Sequence, residues 1–558
     1  MPRGLNMMLP IRGRLRVFGS ALCLLLAAGG NAQTSPPQQD APGQQDTSSA
    51  YKSPAVLRAT TRLVVVDVVA TDSKGHPLAD LGIDDFTVLE DGKPQKISGF
   101  TFRHSSALSE VRRPANANLF TNAPRYSGAS SLNVILLDSL NAEYLSRTYG
   151  RDQLIKYLDS GPEIQPTAVY ALEDKLKLLH DFTVDASELK TVLENYKPHA
   201  PTRVVDVYSA ASPFSRRGDF TTTSHTLEAT ISALGALAQI LAGHPGRKNL
   251  IWVSAAFPLT MYPETYGNNS NPIDLKPGDA VKEPSMRDIG NQMNSSGNAR
   301  TFSDEVEHVA NAMMNAQVAI YPVDCSGVAQ NSRANAASTM RVLAERTGGK
   351  TYVNRNDVDM GVRTSMDDGA TYYTLEYYPQ NKTWDGKFRV IQVKTTLPGA
   401  SLRYRQGYYA LNPGDLKKDV EKDLGKSLSD ALSPDMPAST AVLFQAGVIV
   451  PAAKTEQVVV NFAIDPHTLA FERKADGLAH ASLSCAVVAY SEKGSLVKKE
   501  INSITAALKA DAFEKVMQGY FPCKRIIELK PGHYTLTLGV VDHTSRLMGT
   551  TTATVTVP

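Results

Sequence analysis

The side chains best placed to do chemistry follow one apolar run. Leu132–Leu137 is short and almost wholly apolar, and Asp138, Ser139 and Asn141 come directly after it. Such a run reads as a strand buried on both faces, as in a parallel sheet. Ligands of open α/β sheets bind just beyond the carboxyl ends of the strands. Asp138 is expected at that rim. Ser254 and Ala255 follow a second buried run, Asn249–Val253, and Asp324-Cys325-Ser326 follow a third, Val318–Val323.

Other constellations fall short of catalysis and metal binding. The chain has no G-x-S-x-G, no H-E-x-x-H and no G-x-x-x-x-G-K, which removes the usual hydrolase elbow, zinc helix and phosphate loop. Cys325 as a nucleophile needs a histidine base, and no sequence feature identifies one. Glu305, Glu307 and His308 share a predicted helix but read as surface charge. Asp84, Asp85, Glu90 and Asp91 bracket a strand and have the chemistry for Ca²⁺, yet turns and strand edges use such residues routinely.

The elements that must position the rim alternate. Strands are expected at Leu132–Leu137, Thr167–Leu172, Lys175–His180, Asn249–Val253 and Val318–Val323, with a short one at Lys350–Val353. Helices are expected at Arg151–Leu158, Ser187–Tyr196, Thr226–Leu241, Phe302–Ala316 and Ser338–Arg346, the last closed by Gly348-Gly349. Strands alternating with helices imply a parallel sheet covered on both faces. The polar stretch 260–300 reads as an insertion leaving the rim.

On either side the pattern is β-rich. Arg62–Thr71, Leu81–Leu89 and Gln95–Phe102 suggest a small β-sandwich over 56–104, followed by a polar linker, 105–130. Tyr372–Tyr378, Lys387–Thr395 and Leu402–Tyr409 suit a small antiparallel sheet closing the α/β domain, 131–410. A charged connector, 411–437, leads to strands from Leu443 to Val557, a second sandwich over 438–558. The fold class is therefore multidomain: a doubly wound, Rossmann-like α/β domain between N-terminal and C-terminal β-sandwiches.

The N-terminus carries Arg3, Arg12, Arg14 and Arg16, then an apolar run, Val17–Ala28, then Gly30-Asn31-Ala32. That is the layout of a secretory signal peptide, 1–32, with cleavage after Ala32. The polar, Gln- and Pro-rich stretch 33–55 reads as a disordered linker. The mature chain is expected to be periplasmic or extracellular, with no transmembrane span. Export permits disulfides, so Cys485 and Cys523 are a possible pair, three unpaired thiols being the alternative. A net charge of +2 gives no reason to propose nucleic acid as a partner.

With strand, Asp-bearing rim and helix in place, the central domain resembles a von Willebrand factor type A domain. The combination is closer still to the exported VWFA-related proteins of acidobacteria. The carrying stretches are LVVVDVVATDSKGHPLADLGIDDFTVLEDGKPQKI, LNVILLDSLNA, TLEATISALGALAQILAGHPGRKNLIWVSAAFP and LAERTGGKTYVN. The resemblance covers roughly Leu57–Tyr409 and implies a protein-binding or adhesion module that is not an enzyme. Type A domains often hold Mg²⁺ through Asp-x-Ser-x-Ser, a later Thr and a later Asp. Here Asp138 and Thr226 match two of these positions, Leu140 and Ala142 stand where the serines would be, and Ser254 replaces the last Asp. The resemblance thus implies a partner-binding rim of Asp138, Ser139, Asn141, Thr226 and Ser254, with an unidentified protein or envelope component as partner. Divalent-metal-dependent adhesion through a degenerate site is the alternative, and an envelope hydrolase the third reading.

Overall fold

In the computed structural model five strands form the central sheet: β1 (Ser131–Asp138), β2 (Thr167–Leu172), β3 (Leu176–Thr183), β4 (Arg247–Ser254) and β5 (Val318–Asp324). Their order is β3-β2-β1-β4-β5. β1 runs parallel to β2 and β4, and β4 parallel to β5. β3 is antiparallel to β2. The sheet is therefore mixed, not all-parallel as the alternation suggested. β2 and β3 are joined by a tight turn at Glu173–Lys175, too short for a crossover helix. The description covers residues 63–104, 108–110, 118–127, 129–142, 144–197, 219–255, 260–261, 300–301, 303–326, 334–353, 357–410, 431–434, 436, 438–450 and 456–558. The expected signal peptide, the 33–55 spacer, most of the 260–300 insertion and most of the 411–437 connector lie outside them.

Helices cover both faces. α3 (Asp219–Leu241), α4 (Ser303–Asn315) and α5 (Ala334–Thr347) pack on one; α1 (Tyr144–Asp159), α2 (Ala186–Asn195) and α6 (Val358–Asp368) pack on the other. Side chains alternate along each strand. Val134, Leu136, Leu250 and Trp252 meet the α3 stripe of Leu227, Leu234, Leu237 and Leu241. Ile135, Leu137, Ile251 and Val253 meet Leu154, Leu158, Leu189, Val362 and Met366. Two-sided burial explains why these strands read as unbroken apolar runs. Gly348 closes α5 with φ of +79°, and a Cβ on Gly349 would lie 1.9 Å from the Ile320 carbonyl oxygen. The backbone there requires glycine at both positions. The expected strand at Lys350–Val353 is reduced to one bridge, Val323 to Tyr352.

The N-terminal strands do not close a domain over 56–104. Val64–Thr71 pairs with Tyr372–Tyr377 and with Ser401–Arg403, while Phe86–Glu90 pairs with Phe388–Thr395. Two four-stranded sheets result, each built from segments before and after the α/β domain. They share one apolar cluster that includes Val66, Val68, Phe86, Val88, Tyr373, Leu375 and Ile391. The α/β segment is thus inserted into a β unit, and the boundaries drawn at 104 and 410 divide what hydrogen bonds join. Inside this unit Glu90 and Arg389 are both buried and lie 3.2 Å apart. Tyr377 and Tyr408 each donate to Glu90 Oε2 at 2.9 Å. Glu90 therefore serves packing, not Ca²⁺. Asp85 accepts from the Gly82 amide and the Thr396 hydroxyl, and Asp91 from the Val390 amide.

The C-terminal region also draws on a distant segment. Leu119–Thr121, expected as linker, is the edge strand beside Phe444–Ile449. Residues of both C-terminal sheets form one cluster, and Cys485 of one sheet is bonded to Cys523 of the other. Leu496–Leu508, not expected as a strand, pairs along nearly the whole of Ala479–Ser491. Among the described residues no helix is long and apolar enough to cross a membrane.

Candidate docking rim

Asp138 ends β1 at the point where the strand order reverses, with β2 on one side and β4 on the other. Its carboxylate is buried. Oδ1 accepts the amides of Leu140 (3.1 Å) and Asn141 (2.9 Å), an Asx-type turn that folds the loop back on the strand. Oδ2 accepts the Asn141 side-chain amide (2.9 Å), the Trp252 indole N–H (3.0 Å) and the Ser254 hydroxyl (2.7 Å). Burial pushes the Asp138 carboxyl above its ordinary range, and donors from Asn141, Ser254 and Trp252 oppose that shift.

The structure brings together four of the five residues expected at the rim. Asp138, Asn141 and Ser254 are in direct hydrogen-bond contact. Ser139 lies beside them, and its hydroxyl meets the Tyr196 hydroxyl at 3.1 Å; Tyr196 in turn donates to Glu173 Oε1 at 2.9 Å. Thr226 contributes its backbone carbonyl, which accepts from Thr230. The hydroxyl that reaches the rim belongs to Thr230, which accepts from the Asn141 amide at 2.8 Å and donates to the Thr226 carbonyl. Thr230 is one helical turn further along α3, and it is fully buried where Thr226 is only half-buried. Sequence spacing located the helix but not which turn faces Asn141.

The first half of α1 adds further residues to the rim. Arg147 is buried, and desolvation pulls its pKa below the ordinary arginine value, opposed by the nearby Tyr196 and Asp138. Arg151 donates to the Tyr196 carbonyl at 3.2 Å. Between these groups, Ser139 and Cys325 is a cavity of about 10 Å³, room for one water molecule. Gly150 lets α1 sit against the strand ends: a Cβ there would lie 2.9 Å from Val253 Cγ1. Beside this closed polar floor, Tyr144 is 66% and Leu145 78% exposed. Two large exposed side chains opening a helix after a tight polar turn are the signal that a search for ligating atoms overlooks.

Divalent-cation ligation does not fit this donor set. Mg²⁺ needs hard oxygen atoms with free lone pairs in octahedral array. Both Asp138 oxygens already accept protein N–H and O–H groups, five in all. The Asn141 amide and the Trp252 indole direct positively polarised hydrogens to Oδ2, from which they would repel a cation. Among the described residues no three His, Cys, Asp or Glu side chains gather at one point.

No family model matches the chain, and no curated protein matches it either. Solved structures give low-level likenesses. The von Willebrand factor domain of the type V pili tip protein Mfa5 from Porphyromonas gingivalis is 13% identical, covering 46% of this chain and 97% of that one, with a TM-score of 0.24. An aerotolerance-related membrane protein from Bacteroides fragilis is 10% identical over 43% of this chain and 99% of that one, TM-score 0.24. Proximal thread matrix protein 1 from the mussel byssus is 10% identical over 43% of this chain, TM-score 0.23. This chain spans about half of that mussel protein, 48%. The doubly wound fold rests on the strand order and the two helical layers, not on these scores.

Proposed function

We propose that the chain is an exported, non-enzymatic protein-binding module of von Willebrand factor type A-like fold, which engages its partner at the β1–β4 rim without a bound cation. The observation that carries this reading is the contrast at the rim itself. The polar floor around Asp138 is satisfied within the protein, and immediately beside it Tyr144 and Leu145 stand in solvent. Apolar and aromatic anchors over a desolvated polar base match the anatomy of protein interfaces. Export is supported by the leader-like N-terminus and by the Cys485–Cys523 bond, a linkage that persists in oxidising compartments.

Enzyme chemistry has less support. The Ser139 hydroxyl faces a tyrosine, not a base. Cys325 is a buried thiol, and no histidine is among the described residues around the small cavity beside it. A photocrosslinking side chain placed at residue 145 tests the proposal in envelope extracts. The expected result is a discrete adduct that is lost when Tyr144→Ser is added. Adducts no different from those formed at an exposed position on Leu496–Leu508 would exclude the rim.

A further inference from the structure

The C-terminal region brings two serines and a histidine into one hydrogen-bonded row. Ser484 lies on Ala479–Ser491, and Ser503 stands directly opposite it on Leu496–Leu508. On the other flank, Gly532–Asp542 pairs with the same central strand and puts Val541 opposite Ser484. The His543 amide then donates to the Ser482 carbonyl at 2.9 Å, which extends that ladder by one residue. His543 is thereby the diagonal cross-strand neighbour of Ser484, a spacing that long side chains bridge. The Ser484 hydroxyl lies 2.7 Å from His543 Nε2 and 2.9 Å from the Ser503 hydroxyl. We propose that Ser503 is a nucleophilic serine, activated through Ser484 by His543 and acylated by activated esters.

With the imidazole proton on Nδ1, Nε2 accepts and does not donate. Ser484 then donates to Nε2, and its oxygen accepts from Ser503. The hydrogen bonds run from Ser503 to the base, and each polarises the next. A hydroxyl linked to a base at such distances is the arrangement that activates serine. Exposure is distributed to match. Ser484 is 3% exposed, so the relay is shielded from water. Ser503 is exposed, His543 is half-buried, and Leu496–Leu508 is an edge strand, so an acyl donor reaches the nucleophile from solvent. The step balances without a cofactor. Ser503 Oγ attacks the acyl carbon, its proton passes to Ser484, and the Ser484 proton passes to Nε2. The donor's acyl–oxygen bond breaks, and the imidazolium returns a proton through the relay to the departing oxygen. The products are an acyl-serine and a free alcohol. General-base assistance is worth about 10²–10⁴-fold, which suits aryl esters and other activated donors. The reaction is a single acylation of the chain and is independent of the rim.

The test treats the full chain with p-nitrophenyl acetate and maps the acetylated residues by mass spectrometry. Ser503 should react about a hundredfold faster than Ser495, an exposed serine in the adjoining turn. Ser503→Ala should remove the fast site. His543→Gln keeps a hydrogen-bond acceptor but supplies no base, and should bring Ser503 down to the Ser495 rate. Ser484→Ala, which breaks the relay, should lower it as far. In the parent the Ser503 rate should climb as the imidazole loses its proton, and that step should be missing from His543→Gln. Equal rates at Ser503 and Ser495 in the parent, or a Ser503 rate unchanged by His543→Gln, would overturn the proposal.

Discussion

The Ser254 hydroxyl donates to Asp138 Oδ2 at 2.7 Å, across the carboxyl ends of two parallel strands. That contact stands where the resemblance to type A domains implies a second carboxylate around a cation. A hydroxyl and a carboxylate attract directly, whereas two carboxylates need a metal or a proton between them. The Trp252 indole, two residues earlier on the same face of β4, completes the arrangement. The rim is thus locked by hydrogen bonds.

Removing the lock should destabilise the fold. Asp138→Ala removes the carboxylate that the buried Trp252 N–H and Ser254 O–H donate to, at a cost on the order of 2–4 kcal/mol. Ser254→Ala removes one donor of five and should cost about 1 kcal/mol. Urea unfolding of both variants checks the ranking, and equal midpoints would show that the network adds nothing.

Divalent cations should leave stability unchanged. A ligand that binds only the native state raises the unfolding midpoint by mass action. With Asp138 saturated by donors, excess Mg²⁺ or Mn²⁺ against EDTA is expected to give no shift in thermal unfolding. A clear shift that disappears in Asp138→Asn would restore the metal-dependent reading.

The Glu90–Arg389 pair should matter more than any surface ion pair. Both groups are buried, and Glu90 also accepts two tyrosine hydroxyls. Glu90→Ala strands a buried guanidinium and should cost about 3–5 kcal/mol. The exposed pair Lys498–Glu528, at 3.3 Å, should be nearly silent when broken. Chemical denaturation of the two variants decides this.

His244 should make stability rise with pH. Burial, with Lys248 nearby, lowers its pKa from 6.5 to about 3. Between those values the unfolded chain binds a proton that the folded chain does not. Stability from this group is complete above pH 6.5 and is lost as pH falls toward 3. In His244→Phe the pH dependence of the unfolding midpoint should flatten over that window. An unaltered slope would assign it to other groups.

Loss of the Cys485–Cys523 bond should cost about 2–5 kcal/mol. The bond joins the two C-terminal sheets, so reduction should expose that region to proteolysis before the α/β domain. Simultaneous loss of both would mean that they unfold together.

Much of the α/β domain was legible because its strands are buried on both faces. Leu132–Leu137 and Asn249–Val253 carry unbroken apolar runs, and the residue after each must lie at the rim. What was not legible depends on long-range pairing. Nothing local to Val64–Thr71 says that its partner is Tyr372–Tyr377. Leu496–Leu508 carries Lys498, Lys499 and Glu500 and has mostly exposed or half-buried positions. It therefore lacks the apolar alternation by which strands are found. Thr230, one helical turn beyond Thr226, carries no sequence signal that its hydroxyl meets Asn141. The indole of Trp252 sits mid-strand within an apolar run, which hides its single polar atom.

Crosslinking from residue 145, run in parallel with excess Mg²⁺ and with EDTA, addresses the central claim most directly. A cation-free rim predicts the same discrete partner adduct in both conditions, lost with Tyr144→Ser. An adduct formed only when the cation is present would contradict it, and would place a metal where the structure places Ser254, Trp252 and Asn141.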